Sequence, residues 1–272
     1  MSLVSTEWLD NNHSEVKIID SSWHMPNTNR NAYEEYKKEH IKNAIFFDID
    51  KFSNKKTELP HMLPNEEEWE KIVSNLGITN DDRIIVYDNS DVISSCRCWY
   101  TFIFFGHKPN LISVLNGGFL KWKKENRETS DKVSNHEKKN YKAIKISHLV
   151  KSKEEIDKNI LEKKFQVVDA RSKNRFLGLE KEPRQDVRSG SIQNSYCLPF
   201  GELINPEDKT FIEKNLIKKK FTNIGINNEK NIVFSCGSGI TAAVLGLAYS
   251  IINDKYLPAV YDGSWAEYGK IK

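Results

Sequence analysis

The chain has 272 residues, too many for one average domain and enough for two of about 100 to 150 residues each. Its 38% hydrophobic and 11% aromatic content is that of a globular protein and excludes a disordered or fibrous chain. The 41 basic and 38 acidic residues nearly cancel, to +3, and the lysine runs at 123–124, 138–139 and 218–220 have acidic neighbours, so they read as solvated faces and not as a nucleic-acid surface.

In chain order, the first half alternates short apolar runs with helical patterns. Strands are predicted at 16–20, 44–47, 83–87 and 112–115, and helices at 32–40, 66–76, 94–105 and 119–125. Residues 126–140 are polar and without apolar periodicity, which marks a linker. The second half repeats the first at an offset of about 147 residues, far too long for a solenoid repeat and suited to a duplicated domain. Lys17-Ile18-Ile19-Asp20 answers to Val167-Val168-Asp169-Ala170, and Ile84-Ile85-Val86-Tyr87 to Asn231-Ile232-Val233-Phe234. Leu115-Asn116-Gly117-Gly118-Phe119 answers to Tyr261-Asp262-Gly263-Ser264-Trp265. The expected fold class is α/β: two tandem domains, 1–125 and 141–272, each a mainly parallel sheet flanked by helices.

No stretch reaches the roughly 18 apolar residues of a membrane span, and the first ten residues carry no basic and apolar leader pattern. Four cysteines, Cys96, Cys98, Cys197 and Cys236, are too sparse for a disulfide framework and fit free thiols in a reducing cytoplasm. Cys96 and Cys98 read as core packing on helix 94–105, since a pair alone falls short of the four ligands of a closed zinc site. No metal, nucleotide or flavin motif is present.

Cys236 stands out. The apolar run Ile232-Val233-Phe234 leads into Ser235-Cys236-Gly237-Ser238-Gly239-Ile240-Thr241, and a strong helix former sequence follows at once. The cysteine therefore precedes a helix N-terminus, where unpaired N–H groups and the positive end of the helix dipole favour the thiolate, the nucleophilic form. Gly237 and Gly239 let successive N–H groups curl toward one point, a cradle that also suits a persulfide. Ser238 and Thr241 add hydroxyls, Thr241 alternatively as a loop or cap residue. The matching turn of the first half, Tyr87-Asp88-Asn89-Ser90-Asp91, has no cysteine where it would be needed, so that domain is expected to be catalytically silent.

These residues resemble the active-site loop of the rhodanese superfamily, and the resemblance extends over nearly the whole chain. In the first half it rests on Asp20-Ser21-Ser22-Trp23, His40-Ile41, Phe46-Phe47-Asp48-Ile49-Asp50, His61-Met62-Leu63-Pro64 and Val114 to Phe119; in the second on Asp169-Ala170-Arg171, Arg175-Phe176, Glu182-Pro183-Arg184, the loop Cys236 to Thr241 and Asp262-Gly263-Ser264-Trp265. Thiosulfate sulfurtransferases of the superfamily carry basic residues directly after the cysteine. The loop here resembles the mercaptopyruvate type, Cys-Gly-Ser/Thr-Gly-Val-Thr, except for Ile240.

The resemblance implies a sulfurtransferase in which Cys236 and Ser238 are catalytic, Arg175, Arg184 and the loop residues Gly237, Gly239, Ile240 and Thr241 bind the donor, and no cofactor is required. The implied reaction takes sulfane sulfur from 3-mercaptopyruvate through a Cys236 persulfide to a thiol, thioredoxin or cyanide and releases pyruvate. Guanidinium forks suit the donor carboxylate and keto oxygen. Arg171 and Arg188 rank below the two named arginines. A Ser-His-Asp relay suggested for relatives would make His40 an accessory group, but Asn31 stands where its aspartate would be and cannot stabilise an imidazolium. The alternatives are a thiosulfate sulfurtransferase and a noncatalytic rhodanese-like module that carries sulfur or binds a partner. A phosphatase of the related cell-cycle type is nearly excluded, because Ala242 and Ala243 stand where its arginine is needed. Whether Cys197 pairs with Cys236 on oxidation is open, and depends on a Cα separation within about 7 Å.

Overall fold

The structure, a computed structural model, describes residues 2–226, 231–253 and 256–271. The chain divides into two compact units: Met1–Asn54, Pro64–Ile146 and Pro206–Phe211 form the first, and Lys55–Leu63, Ser147–Asn205 and Ile212–Lys272 the second.

In the first unit the strands are β1 (Leu3–Val4), β2 (Lys17–Asp20), β3 (His40–Ile41), β4 (Ile45–Phe46), β5 (Ile84–Tyr87), β6 (Ile112–Leu115) and β7 (Thr129–Ser130). The helices are α1 (Thr6–Asn11), α2 (Ala32–Lys38), α3 (Ile49–Phe52), α4 (Glu66–Asn75), α5 (Ser95–Phe104) and α6 (Gly118–Lys124). Five strands pair in parallel in the order β1-β6-β5-β2-β4, and β3 pairs antiparallel with β7. The predicted helix over 32–40 ends two residues early because His40 and Ile41 pair instead with Ser130 and Thr129.

The second unit holds β8 (Val150–Lys151), β9 (Phe165–Asp169), β10 (Tyr196–Cys197), β11 (Asn231–Ser235) and β12 (Ala259–Tyr261). Its helices are α7 (Lys153–Glu162), α8 (Lys173–Phe176), α9 (Lys214–Asn223), α10 (Ile240–Ile252) and α11 (Ser264–Tyr268). The parallel order β10-β9-β11-β12-β8 matches the first sheet strand for strand when read from the other edge. Strands buried on both faces account for the unbroken apolar runs: all four residues of β5 and of β6 are buried.

The helix that follows each central strand is itself core. Every residue of α5 is buried, and ten of the thirteen in α10, so neither shows the one-sided stripe of a surface helix. The surface helices α4 and α7 begin instead with capping boxes, Asn65 with Glu68 and Ser152 with Glu155, which satisfy N–H groups at the helix start.

Register corrects the correspondence between the halves by one residue. Asp20 pairs with Tyr87 across β2 and β5, as Asp169 pairs with Ser235 across β9 and β11. Asp20 thus answers to Asp169 and Tyr87 to Ser235, and the residue matching Cys236 is Asp88. Backbone bonds agree: Phe119 N–H donates to the Asp88 carbonyl and Trp265 N–H to the Cys236 carbonyl, both at 2.9 Å.

Candidate active site

Cys236 follows the central strand β11, at the carboxyl ends of parallel strands where open α/β sheets present their ligand sites. The residue is 2% exposed. Its Sγ accepts a hydrogen bond from Gly239 N–H at 3.1 Å. Gly239 is the N-cap of α10 with φ +84°, a left-handed geometry that glycine adopts without steric cost. The cysteine's backbone is tied down as well: its N–H donates to Ser264 Oγ at 3.2 Å, and Ser264 Oγ donates to the Tyr261 carbonyl at 2.8 Å. Ser264 makes these contacts at φ +48°, a conformation a non-glycine residue rarely holds and one that clusters at functional sites. Only the sequence motif Asp262-Gly263-Ser264-Trp265 hinted at this serine.

Ser238 is half-buried in the same loop, and its Oγ lies 2.9 Å from Nδ1 of His61. His61 is buried with φ +58°, and Leu63 N–H, two residues on, donates to Asp262 Oδ2 at 2.9 Å. The histidine that meets Ser238 is therefore His61 and not His40. His40 is buried in the first unit, with Nδ1 2.6 Å from the Tyr36 carbonyl, Nε2 3.2 Å from the Lys132 carbonyl and its ring stacked on Tyr36. Asn31 caps α2 by accepting Glu34 N–H. The signal for His61 was the quoted His61-Met62-Leu63-Pro64, which carries nothing of the long-range contact.

Arg175, on α8, lies against the loop: a Cβ built on Gly237 would stand 3.2 Å from Arg175 Nη2. Its Nε and Nη2 donate to the two carboxylate oxygens of Glu182, at 3.1 and 2.5 Å. Arg171 Nη1 donates to the same Glu182 at 2.8 Å, and its Nε and Nη2 bond Asp169. Burial works against the Arg171 charge, but the Asp169 and Glu182 carboxylates outweigh it and hold its pKa above the ordinary value. The Arg171 and Arg188 guanidiniums both lie at the Trp265 ring, 4.5 and 4.6 Å from its centroid. Arg184 is exposed and takes part in no ion pair among the described residues. Ile240 is buried as the first residue of α10, and Thr241 half-buried as the second.

The other thiols differ in kind. Burial raises the pKa of Cys96 and Cys98 on α5 and pushes Cys197 up to about 11. Cys197 and Ser235, the residue before Cys236, flank Asp169 on either side of β9, two strand spacings or roughly 10 Å apart, a separation wider than a disulfide spans. All four cysteines are free. No His/Cys/Asp/Glu group among the described residues has a metal-holding arrangement, and no helix among them is long and apolar enough to cross a membrane.

A buried cysteine on the turn after the central strand of one repeat, with Asp88 at the matching turn of the other, sets the class of a tandem α/β protein with one thiol-bearing site. Residues 5–125 and 152–270 each match the rhodanese-like domain, and the chain belongs to the rhodanese family. It is 36% identical to thiosulfate/3-mercaptopyruvate sulfurtransferase 1, mitochondrial, of Arabidopsis thaliana, over 98% of this chain and 75% of that protein. It is 35% identical to the 3-mercaptopyruvate sulfurtransferase of Mus musculus, over 98% and 91%. Among solved structures, SseA of Escherichia coli, described as a 3-mercaptopyruvate sulfotransferase, superposes with a TM-score of 0.87 at 29% identity, covering 97% of this chain and 99% of that one.

Proposed function

We propose that this protein is a sulfurtransferase that takes sulfane sulfur from 3-mercaptopyruvate, holds it as a Cys236 persulfide and passes it to a thiol, thioredoxin or cyanide. The observation that carries the donor assignment is the loop itself: Gly237-Ser238-Gly239-Ile240-Thr241 has no cationic side chain, whereas a dianion such as thiosulfate gains from positive charge beside the sulfur.

The Cys236 thiolate attacks the donor sulfur, the donor C–S bond breaks, and its electron pair leaves with carbon as pyruvate enolate, which then takes up a proton. Ser238, backed by His61, is the hydroxyl suited to proton exchange at this centre. Arg175 and Arg184 bind the donor carboxylate and keto oxygen. In the second half-reaction the acceptor's nucleophile attacks the outer sulfur and Cys236 leaves as thiolate, a ping-pong scheme that needs no cofactor. The free thiols suit a reducing compartment, for which we propose the cytoplasm.

The test measures pyruvate release from 3-mercaptopyruvate with a thiol acceptor beside sulfite release from thiosulfate, in wild type and Cys236→Ser. Faster pyruvate release that vanishes in the variant supports the reading. Faster sulfite release moves the donor to thiosulfate. A wild type inactive with both donors leaves a noncatalytic sulfur-binding module.

A further inference from the structure

We propose that Glu182 is a positioning residue that also sets donor specificity: it holds Arg175 against the cysteine loop and cancels its charge, so that the site accepts a monoanionic sulfur donor in preference to a dianionic one. The proposal rests on the sulfur-transfer reading above and deepens it.

The charges form one chain. Asp169, Arg171 and Glu182 have side chains 3%, 1% and 4% exposed, and the chain ends at Arg175, 21% exposed. Two carboxylates face two guanidiniums, so this buried group carries no net charge. Inside a protein, where the effective dielectric is low, the balance matters more than it would at a surface. Buried ion pairs are weak sources of stability, because desolvation offsets their attraction and well-packed apolar side chains serve as well. What such a chain supplies better than apolar packing is a fixed direction for Arg175.

The geometry of Glu182 does this. Both of its oxygens engage the Nε and Nη2 edge of Arg175, the fork-to-fork arrangement that sets a guanidinium's plane. Its Oε1 also accepts from Arg171, which is itself held by Asp169 and stacked on Trp265. Arg175 is thus aimed at Gly237 and largely neutralised. Arg184 and Arg188 are both exposed and without an ion pair among the described residues, but the Arg188 guanidinium lies over the Trp265 and Tyr268 rings, which leaves Arg184 as the cation for the donor. One such cation answers one carboxylate. A dianion would need a second, and neither Arg175, held by Glu182, nor Arg188, laid on the Trp265 and Tyr268 rings, nor the loop 236–241 supplies it.

The experiment compares kcat and KM for 3-mercaptopyruvate and for thiosulfate in the full chain, for wild type, Glu182→Gln and Glu182→Asp, with thermal melting as the check on folding. Glu182→Gln retains an acceptor but frees the Arg175 charge, so the thiosulfate-to-mercaptopyruvate ratio of kcat/KM is expected to rise by about tenfold, through a lower thiosulfate KM. Glu182→Asp keeps the charge at a shorter reach. It is expected to keep the donor ratio within about twofold while lowering kcat. Equal losses for both donors in Glu182→Gln would reduce Glu182 to a structural part and overturn the proposal, as would a shift toward thiosulfate in Glu182→Asp. If only Glu182→Asp folds, its donor ratio decides. A wild type that prefers thiosulfate overturns the donor assignment instead, and the two failures are read from different rows of the same measurement.

Discussion

The turn after β11 and the turn after β5 occupy the same point of the same five-stranded frame, yet they use it in opposite ways. After β11, the sulfur of Cys236 takes the N–H of Gly239. After β5, the carboxylate of Asp88 stands in the matching position and takes the N–H groups of Ser90 and Ser95, at 2.8 and 3.0 Å. The first repeat has filled its turn with a side chain of its own, and burial raises the Asp88 pKa even so. The neighbouring position diverges in parallel. Asp169 is met by Arg171, while Asp20 is met by Ser22 N–H and Oγ, at 2.9 and 2.6 Å. Ser264, which ties the Cys236 N–H, has Gly118 as its counterpart, where a Cβ would come within 2.5 Å of the Asp88 carbonyl. A cavity of about 190 Å³ does open beside the Asp88 turn, but its cations are already met, Arg30 by the Glu35 carboxylate and Lys209 by Asp91. One frame therefore presents its turn to a cysteine sulfur or closes it on a carboxylate, depending on three or four side chains.

The hardest blow to this comparison would be activity without Cys236. Cys236→Ser is expected to lower sulfur transfer on the order of a thousandfold or more, and adding Asp88→Cys to that variant should restore none of it, because Asn89 and Asp91 stand where Gly237 and Gly239 shape the loop after Cys236. Cyanide-dependent or thiol-dependent turnover by the double variant would break the comparison.

Next comes Asp20, the buried aspartate of the first repeat, which has no ion pair among the described residues. Burial raises the Asp20 pKa to about 6, against the lowering effect of its Ser22 bonds. Between the ordinary carboxylate value and 6 the folded chain holds a proton that the unfolded chain has released, so stability falls as pH rises through that window. The loss is up to about 3 kcal/mol from this group. Asp20→Asn should flatten the fall, as checked by chemical denaturation at pH 4.5 and pH 7.5; an unchanged pH dependence would count against it.

His61→Ala should lower kcat by about a hundredfold through loss of the Ser238 contact, the low end of the usual span of general acid–base groups. His40→Gln, by contrast, should act on the melting temperature and leave kcat of the folded fraction within about twofold. Smallest is Ser264→Ala, which removes one hydrogen bond at the Cys236 backbone and is expected to cost about 1 kcal/mol of stability by urea unfolding, with a modest loss of rate.

Much of the frame was legible because strands buried on both faces write themselves as apolar runs, and because the chain writes them twice. Cys236 was legible too, since a cysteine between an apolar strand and two glycines at a helix start is a local pattern. What escaped was set by distance along the chain. Ser238 and His61 are 177 residues apart in sequence, and nothing local distinguishes His61 from His40, whose ring turns to backbone carbonyls. Glu182 escaped for another reason: a Glu-Pro-Arg string looks exposed in composition, and only folding buries the glutamate between two arginines. The one-residue slip between repeats arose because apolar runs fix a strand but not its register.

Helix α10 has a consequence for how the site fails. Its N-cap, Gly239, delivers the N–H that meets the sulfur, and ten of its thirteen residues lie in the core. The loop cannot come loose by the fraying usual at surface helix ends, so the amides of this helix should exchange with solvent only through large-scale opening of the second unit. Heat should then extinguish the chemistry and the fold of that unit together, with no long-lived species that is folded but has lost its sulfur cradle.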